Sequence, residues 1–306
     1  MLIFVSGATG VIGTRVLPIL IADGHQVSAS GRTPEKRSAL QKLGVTALDV
    51  DLFNPEHART ALQGQEVVIN LATHVPPPSK MLLPGSWREN DRVRRGISSV
   101  LTKIAIQEGV QTYIQESFAP VYEDAGDNWI DETAPLEPAS YNRSLLDAEA
   151  ATKNFADAGR TGIVLRFAFF YGSDAEQNSA MLQAIRKGWA PMPGRPDAFM
   201  SSVSHDDAAT AVVAALKAKS GAYNIVDDEP LRRGDLFNYL AGYLGVRQPK
   251  FPPVWTSYLM GSVGRLAARS QRISNHRFRA ETSWKPVYRS AKEGWQDILS
   301  IKSEAA

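Results

Sequence analysis

The sequence predicts an α/β protein built on a doubly wound parallel sheet, and two observations lead to this prediction. From residue 2 to about residue 170, short apolar runs alternate with longer segments of helical character, which is the order of repeated βαβ units. Most of the short runs lack polar alternation, as strands buried on both faces do. They predict strands at Leu2–Val5, Gln26–Ser30, Val45–Leu48, Glu66–Leu71, Thr112–Gln115 and Gly162–Phe167.

The order of elements becomes less regular after residue 172. The predicted helices and strands there are Asn178–Gly188, Met200–Val203 (strand), His205–Ala218, Ala222–Val226 (strand) and Arg232–Gly245. We predict a core over residues 1–172 and a small C-terminal substrate-binding subdomain over 173–306, interleaved with the core. A chain of 306 residues with 43% hydrophobic content can bury the core that this architecture needs.

Composition narrows the choice of partner. With 34 basic and 32 acidic residues the formal charge is only +2, so no global field draws the protein to nucleic acid or to a membrane, and a small molecule is the expected partner.

The chain has no cysteine and only scattered histidines, so we expect no metal site, and the lack of thiols is compatible with a reducing cytosol. The first residues enter a strand without a signal-peptide pattern, and no apolar stretch reaches the ~20 residues that span a bilayer. We therefore expect a cytoplasmic protein.

A glycine-rich turn follows the first predicted strand and opens a helix. Its sequence, Ser6-Gly-Ala-Thr-Gly-Val-Ile-Gly13, has the glycines that a tight turn, a close approach to pyrophosphate and close helix packing require. An ordinary glycine-rich turn is the alternative, but strand, turn and helix occur in the order of a Rossmann-type dinucleotide site. The cofactor contacts predicted here are Gly7, Thr9, Gly10, Val11, Ile12 and Gly13. Pro18 should kink this helix or end it early.

The end of the second strand indicates which dinucleotide binds. An acidic residue that would select the ribose 2′-hydroxyl of NAD is replaced by Gly31 and Arg32. A guanidinium can hold a 2′-phosphate through paired hydrogen bonds, and Lys36 or Arg37 could add charge. The sequence therefore favours NADP(H), with solvated loop charges as the alternative interpretation.

Further motifs extend the pattern along nearly the whole chain. They are Asp51-Leu52, Asn70-Leu-Ala-Thr73, Ser117-Phe-Ala-Pro-Val-Tyr122, Tyr141 to Glu149, Arg166 to Gly172, His205-Asp-Asp-Ala208, Tyr223-Asn-Ile225 and Trp284-Lys-Pro286. Together with the glycine-rich turn, they resemble the extended, atypical short-chain dehydrogenase/reductases, the NAD-dependent epimerase/dehydratase family. The resemblance implies that Asp51 and Leu52 lie at the adenine, that Leu71, Ala72 and Thr73 lie along the cofactor, and that Phe167 and Phe169 flank the nicotinamide. It is also compatible with helix pairing in a homodimer.

The catalytic positions depart from that family. Its members use a Tyr-x-x-x-Lys pair, because the lysine lowers the pKa of the tyrosine, whereas this chain has Tyr141 and Leu145. The family serine or threonine falls on Phe118, one residue after Ser117. The family asparagine falls on Val93, with Asn90 nearby.

Three functional hypotheses remain open from the sequence. In the leading one, NADPH reduces a carbonyl or activated double bond, and Tyr141, Ser117, His74 or Lys80 supplies the proton, although His74 could equally be structural. The second is a non-catalytic NADP(H)-binding sensor or scaffold. The third is a sugar-nucleotide epimerase or dehydratase, which needs an ionised tyrosine. Aromatic residues such as Trp87 favour a hydrophobic or aromatic substrate, unless they belong to the core. The C-terminal arginines either contact an anionic substrate or pair within the molecule.

Overall fold

A computed structural model describes residues 1–83, 85–172 and 176–304. Its strands are β1 (Leu2–Ser6), β2 (Gln26–Ser30), β3 (Thr46–Leu48), β4 (Val67–Asn70), β5 (Thr112–Phe118), β6 (Trp129–Ile130), β7 (Thr161–Phe167), β8 (Phe169–Tyr171), β9 (Phe199–Met200), β10 (Ser202–Ser204), β11 (Gly221–Ile225), β12 (Leu231–Arg232) and β13 (Arg272–Ile273). Its helices are α1 (Gly13–Ala22), α2 (Pro34–Lys42), α3 (Pro55–Leu62), α4 (Arg88–Gln107), α5 (Ser144–Asp157), α6 (Glu176–Arg186), α7 (His205–Ala214), α8 (Arg233–Tyr243), α9 (Thr256–Leu259), α10 (Gly261–Ala268), α11 (His276–Thr282) and α12 (Ala291–Glu304).

The main sheet has seven strands in the order β11-β7-β5-β4-β1-β2-β3, and every neighbouring pair is parallel. The six strands predicted from the sequence all lie in this sheet. The order reverses direction between β1 and β4, and a sheet of this type binds ligands outside the carboxyl ends of its strands at that point. The predicted fold class is confirmed.

Helices cover both faces of the sheet. Ile3 and Val5 of β1 pack into one apolar cluster with residues of α1 and α7, whereas Phe4 packs into a second cluster with residues of α3 and α4. Successive strand residues point to opposite faces, so β1 is buried from both sides. This is why its sequence is uniformly apolar.

Pro18 does not end α1 early, which was one of the two outcomes predicted for it. The helix continues to Ala22, with Val16, Leu17 and Leu20 buried against the core. Pro18 itself is exposed, so water can reach the carbonyl group that its missing N–H leaves unpaired. Burial on the opposite side of the helix stabilises the last turn.

The region after residue 172 is built from smaller units. The single strand predicted at Met200–Val203 is divided into β9 and β10, because β9 pairs antiparallel with β12 while β10 pairs parallel with β8. A third apolar cluster forms here, with Phe237 of α8 and Trp295 of α12 fully or almost fully buried. Strand β11, in contrast, joins the edge of the main sheet beside β7.

The basic residues near the C-terminus mostly find partners inside the molecule. Arg269 pairs with Glu137 at 2.7 Å, and Arg279 pairs with Asp228 at 2.8 Å. The guanidinium of Arg272 lies 4.1 Å from the centre of the Trp129 ring. Intramolecular pairing therefore accounts for much of this charge run.

Within the described parts of the chain, no helix combines the length and the apolar character that crossing a bilayer requires.

Candidate functional site

The glycine-rich turn joins β1 to α1 at the carboxyl edge of the sheet. Gly7 has φ +78°, and a Cβ atom on it would lie only 2.5 Å from the carbonyl carbon of Leu71. A Cβ on Gly13 would lie 2.4 Å from the Gly7 carbonyl oxygen, which in fact accepts a 3.0 Å hydrogen bond from the Gly10 N–H. Side chains at Gly7 and Gly13 would therefore break the turn, and the glycines hold it close to both α1 and the loop after β4.

A cavity of about 390 Å³ opens beside this turn. It brings together most of the residues predicted to hold a dinucleotide: Gly7, Thr9, Gly10, Arg32, Lys36, Asp51, Leu52, Leu71, Ala72 and Thr73. The predicted contacts outside its lining are Val11, Ile12, Gly13, Phe167 and Phe169. Among these, Phe167 is only 1% exposed, and Phe169 packs edge-on against Phe118 with 5.6 Å between ring centres.

Two cationic residues of this cavity have no partner among the residues that the structure describes. Neither the Arg32 guanidinium nor the Lys36 ammonium group forms an ion pair or a hydrogen bond with any residue that the structure describes. The neighbouring Arg37 differs, because it pairs with Asp49 at 3.0 Å and donates to the Gly31 carbonyl oxygen at 2.9 Å. Arg32 and Lys36 are thus free to meet an anion, whereas Arg37 is held in the protein.

Asp51 also lines this cavity, after β3. Its Oδ1 accepts a 3.0 Å hydrogen bond from the Phe53 N–H, and its own N–H donates to Nδ1 of His57 at 3.2 Å. These bonds fix the carboxylate while leaving acceptor capacity on its second oxygen. That geometry suits a hydrogen bond from an amino group of an adenine ring.

The loop after β4 forms the wall opposite the glycine-rich turn. Asn70 is buried and donates to Oε1 of Gln115 at 2.9 Å, while its Oδ1 accepts from the Ala72 N–H at 3.3 Å. Further along, the His74 N–H donates to Oδ1 of Asn90 at 2.8 Å. Asn90 is fully buried and anchors the loop from α4. The sequence identified this asparagine only as the nearest to a family position, and its inward-facing place in the first turn of α4 was the available signal.

Tyr141 lies on a short 3-10 helix, Ser140–Asn142, and does not line the first cavity. It lines a second cavity of about 330 Å³, where its ring packs against Trp87 with 4.5 Å between centres. Burial raises the pKa of Tyr141 to about 12, although the charges of Arg94 and Arg269 act in the opposite direction. The phenol is therefore protonated at neutral pH.

At the position where the family has a lysine, this chain has a leucine that belongs to the apolar core. Leu145 is completely buried in the same apolar cluster as Ile114 and Leu165. The nearest substitute for the lysine charge is Arg94, which is 5% exposed and pairs with Glu116 at 2.9 Å. Because that charge is already neutralised by a carboxylate, it does not bring the pKa of Tyr141 down to the neutral range.

Ser117 is fully buried and lines neither cavity. Its hydroxyl donates to Oε1 of Glu149 at 2.6 Å. Glu149 also accepts from Nε and Nη2 of Arg166, at 2.9 and 2.6 Å, and Arg166 donates to the Tyr122 hydroxyl at 2.8 Å. These contacts make Ser117 part of a buried ionic network that joins β5, α5 and β7. The sequence did not indicate this network, because its members are distant in the chain.

The two cavities adjoin the same two segments of the chain. The loop after β4 lines the first cavity at Leu71–His74 and the second at Met81–Leu83. Helix α4 lines the first at Val93 and Ile97 and the second at Arg88 and Asp91, and Trp87, directly before the helix, also lines the second. The loop after β4 and α4 therefore both contribute to each cavity.

The fold and the first cavity define a nicotinamide-dinucleotide-binding α/β protein. Residues 7–219, more than half of the chain, match the model of the NAD(P)H-binding family. The chain belongs to that family, and its resemblance to the extended short-chain dehydrogenase/reductases is confirmed.

The relatives found by sequence are named reductases, whereas a similar solved structure is that of an epimerase. The chain is 27% identical over 312 residues to the 3-diazoavenalumate denitrifying reductase of a Streptomyces species, covering 96% of this chain and 99% of that protein. It is 26% identical to the 2-alkyl-3-oxoalkanoate reductase of Shewanella oneidensis, over 87% of this chain and 72% of that protein. Among solved structures, the Thermotoga maritima UDP-glucose 4-epimerase with UDP-glucose superposes with a TM-score of 0.80 at 21% identity, over 100% of this chain and 99% of that one. At that identity the structural match shows the shared fold alone.

Proposed function

We propose that this protein is an NADP(H)-dependent reductase of a small organic molecule with a polarised double bond. The observation that carries the proposal is the pair of cations, Arg32 and Lys36, that have no partner among the described residues and line the cavity beside a glycine-rich turn with no room for a side chain at Gly7 or Gly13. A 2′-phosphate placed there accepts charge-assisted hydrogen bonds from the guanidinium. NADP(H) therefore suits this cavity better than NAD(H).

Tyr141 is the group that we assign as proton donor. A bound reduced nicotinamide supplies hydride to the substrate carbon, and the carbonyl oxygen then needs a proton. The Tyr141 hydroxyl can donate it because the phenol stays protonated in its buried position, and solvent restores the lost proton afterwards. Epimerases and dehydratases of this fold instead need an ionised tyrosine, which the raised pKa of Tyr141 and the buried Leu145 disfavour. His74, which is exposed and lines the first cavity, is the second candidate donor.

The test is the oxidation of NADPH by purified protein with a panel of ketones, oxoacids and enones, followed by fluorescence of the reduced nicotinamide. We expect substrate-dependent oxidation that is faster with NADPH than with NADH. Tight NADPH binding without turnover on any member of the panel would instead favour the sensor or scaffold hypothesis.

A second candidate reaction is hydride transfer to an aryldiazonium group. The observation that favours it is the absence, among the residues that line the two cavities, of the lysine that normally activates the family tyrosine. A diazonium ion already carries the positive charge that a carbonyl gains only on protonation. Hydride addition gives a neutral diazene, which loses N₂ to leave the arene, so the hydride step needs no protein acid. The Streptomyces relative is named for a diazo substrate. Turnover of an aryldiazonium salt that is unchanged in Tyr141→Phe would distinguish this route from carbonyl reduction.

We further propose that the region 173–306 completes the substrate site over a 1–172 core, and that the protein acts in the cytoplasm. Met260 and Val263, which line the second cavity opposite Trp87, come from the later region. A homodimer is compatible with this arrangement, and light scattering of the purified protein tests it.

A further inference from the structure

One part of the wall of the second cavity is apolar and includes two aromatic rings. Its wall includes Met81, Met260 and Val263, and the Trp87 and Tyr141 rings meet at an angle of 50°. Leu82 and Leu83 also line it although they are 53% and 54% exposed, so apolar surface extends to its mouth. A cavity of this composition gains free energy by burying a flat apolar group.

Arg88, in the lining of this cavity, differs from the other arginines of α4 in its contacts. Arg92 pairs with Glu89 at 3.2 Å, Arg94 with Glu116 at 2.9 Å and Arg95 with Asp147 at 2.6 Å. Arg88 is exposed in the lining of the second cavity, and it forms no ion pair or side-chain hydrogen bond with any described residue. Among the arginines of α4, Arg88 is therefore the one whose guanidinium N–H groups are all available to a ligand in the described structure.

Asp91 restricts how a ligand can lie in this cavity. It follows Arg88 by about one helical turn, and its Oδ1 is buried without a hydrogen-bond partner in the described structure. The carboxylate charge of Asp91 repels an anionic group, whereas the guanidinium charge of Arg88 attracts one. The anionic end of a ligand is thereby directed towards Arg88.

We propose that the second cavity binds the substrate as an aromatic or extended apolar carboxylate, with the apolar body against Trp87 and Tyr141 and the carboxylate held by Arg88. This inference rests on the proposed function for the identity of the reaction, but the binding site itself is independent of turnover. Val93 follows Arg88 by five positions, which is about 7.5 Å along the axis of α4, and it lines the cofactor cavity. The same helix therefore contributes residues to both cavities.

The experiment measures binding of trans-cinnamate and of its neutral analogue cinnamamide by calorimetry on the full chain saturated with NADP⁺. The wild-type protein should bind cinnamate more tightly than cinnamamide. Arg88→Ala should weaken cinnamate binding about 10- to 100-fold, the range of a charge-assisted hydrogen-bonded contact, and leave cinnamamide binding unchanged. Arg95→Ala, which removes an arginine of the same helix that is paired with Asp147, should bind both probes as the wild type does.

Equal loss of both probes in Arg88→Ala, or no loss of cinnamate, would overturn the assignment of Arg88. Absence of cinnamate binding by the wild-type protein would overturn the choice of aromatic carboxylates. Failure of NADP⁺ to bind in the preceding titration contradicts the proposed function instead, and the same probes then test the second cavity in the protein without cofactor. A melting temperature for Arg88→Ala equal to that of the wild type verifies that the variant is folded.

Discussion

The two cavities of this protein are specified in different ways. The first lies beside a glycine-rich backbone turn, and its essential constraint is that no side chain fits at Gly7 or Gly13. The second is formed by side chains, among them Trp87, Arg88 and Tyr141. The first contains most of the residues that the family resemblance assigns to the cofactor, whereas Tyr141 of the second is followed four residues later by Leu145 and not by the family lysine. One site is thus constrained by its backbone, and the other depends on the identity of its side chains.

The largest effect that we predict concerns the glycine-rich turn beside the first cavity. Gly7→Ala should weaken NADPH binding at least about 100-fold, equal to about 2.7 kcal/mol, because the new Cβ would displace the backbone of Leu71. Gly24→Ala is the matched control, since Gly24 has nearly the same φ of +77° but nothing within 4 Å of its added Cβ. Both variants carry the strain of a left-handed alanine, roughly 1–2 kcal/mol, so thermal unfolding separates that strain from the loss of binding. Equal NADPH affinities in the two variants would contradict the close-approach argument.

The next prediction concerns Tyr141. Tyr141→Phe should lower kcat for carbonyl reduction about 100-fold, in the range of a general acid, with little change in the Kd of NADPH. Since burial raises the pKa of this tyrosine to about 12, its protonated form predominates at all lower pH values. The rate should therefore show no rise attributable to tyrosine ionisation between pH 6 and pH 9. A pH profile that rises through neutrality and disappears in Tyr141→Phe would show that the tyrosine works as an anion.

A smaller effect is expected from Ser117, and it is one of stability. Ser117→Ala leaves Glu149 with one hydrogen bond fewer in a buried network, which should lower the free energy of unfolding by about 1–3 kcal/mol. Because the Ser117 hydroxyl lines neither cavity, kcat and KM should stay within about twofold of the wild type. Chemical denaturation and steady-state kinetics measure the two quantities. A large fall in kcat with unchanged stability would return Ser117 to the catalytic site.

The smallest effect should come from Asn90. Asn90→Ala removes the acceptor of the His74 N–H, so the loop after β4 should become more mobile. KM for the substrate should rise about three- to tenfold, because this factor corresponds to the free energy of one lost hydrogen bond. Thr102→Ala, which removes a buried hydroxyl that only back-bonds within α4, is the control for general loosening of that helix. The same rise in KM in both variants would argue against a specific role for Asn90.

The fold was predictable because its main determinants are local. The apolar runs that became β1 to β5 and β7 carry their own signal, and the glycines of the first turn are required by backbone contacts that a motif records. The positions of Ser117 and Leu145 were harder to predict, since their environments depend on Glu149, Arg166 and core residues far away in sequence. Burial of α1 residues against the core also explains why the helix extends past Pro18, where the sequence predicted a kink or an early end. The unpartnered state of Arg88 could not be predicted either, because charge pairing depends on which side chains the fold brings together.

We infer that Arg32 and Lys36 select a phosphorylated dinucleotide, and calorimetry of NADPH and NADH with the wild-type protein and Arg32→Ala tests this selection most directly. The wild type should bind NADPH more tightly than NADH, and Arg32→Ala should lose about 10- to 100-fold in NADPH affinity, with NADH affinity unchanged. Arg59→Ala, which removes a half-buried arginine that does not line the cavity, should retain the preference. Equal affinity of the wild-type protein for the two cofactors, or an NADPH preference that survives in Arg32→Ala, would contradict it.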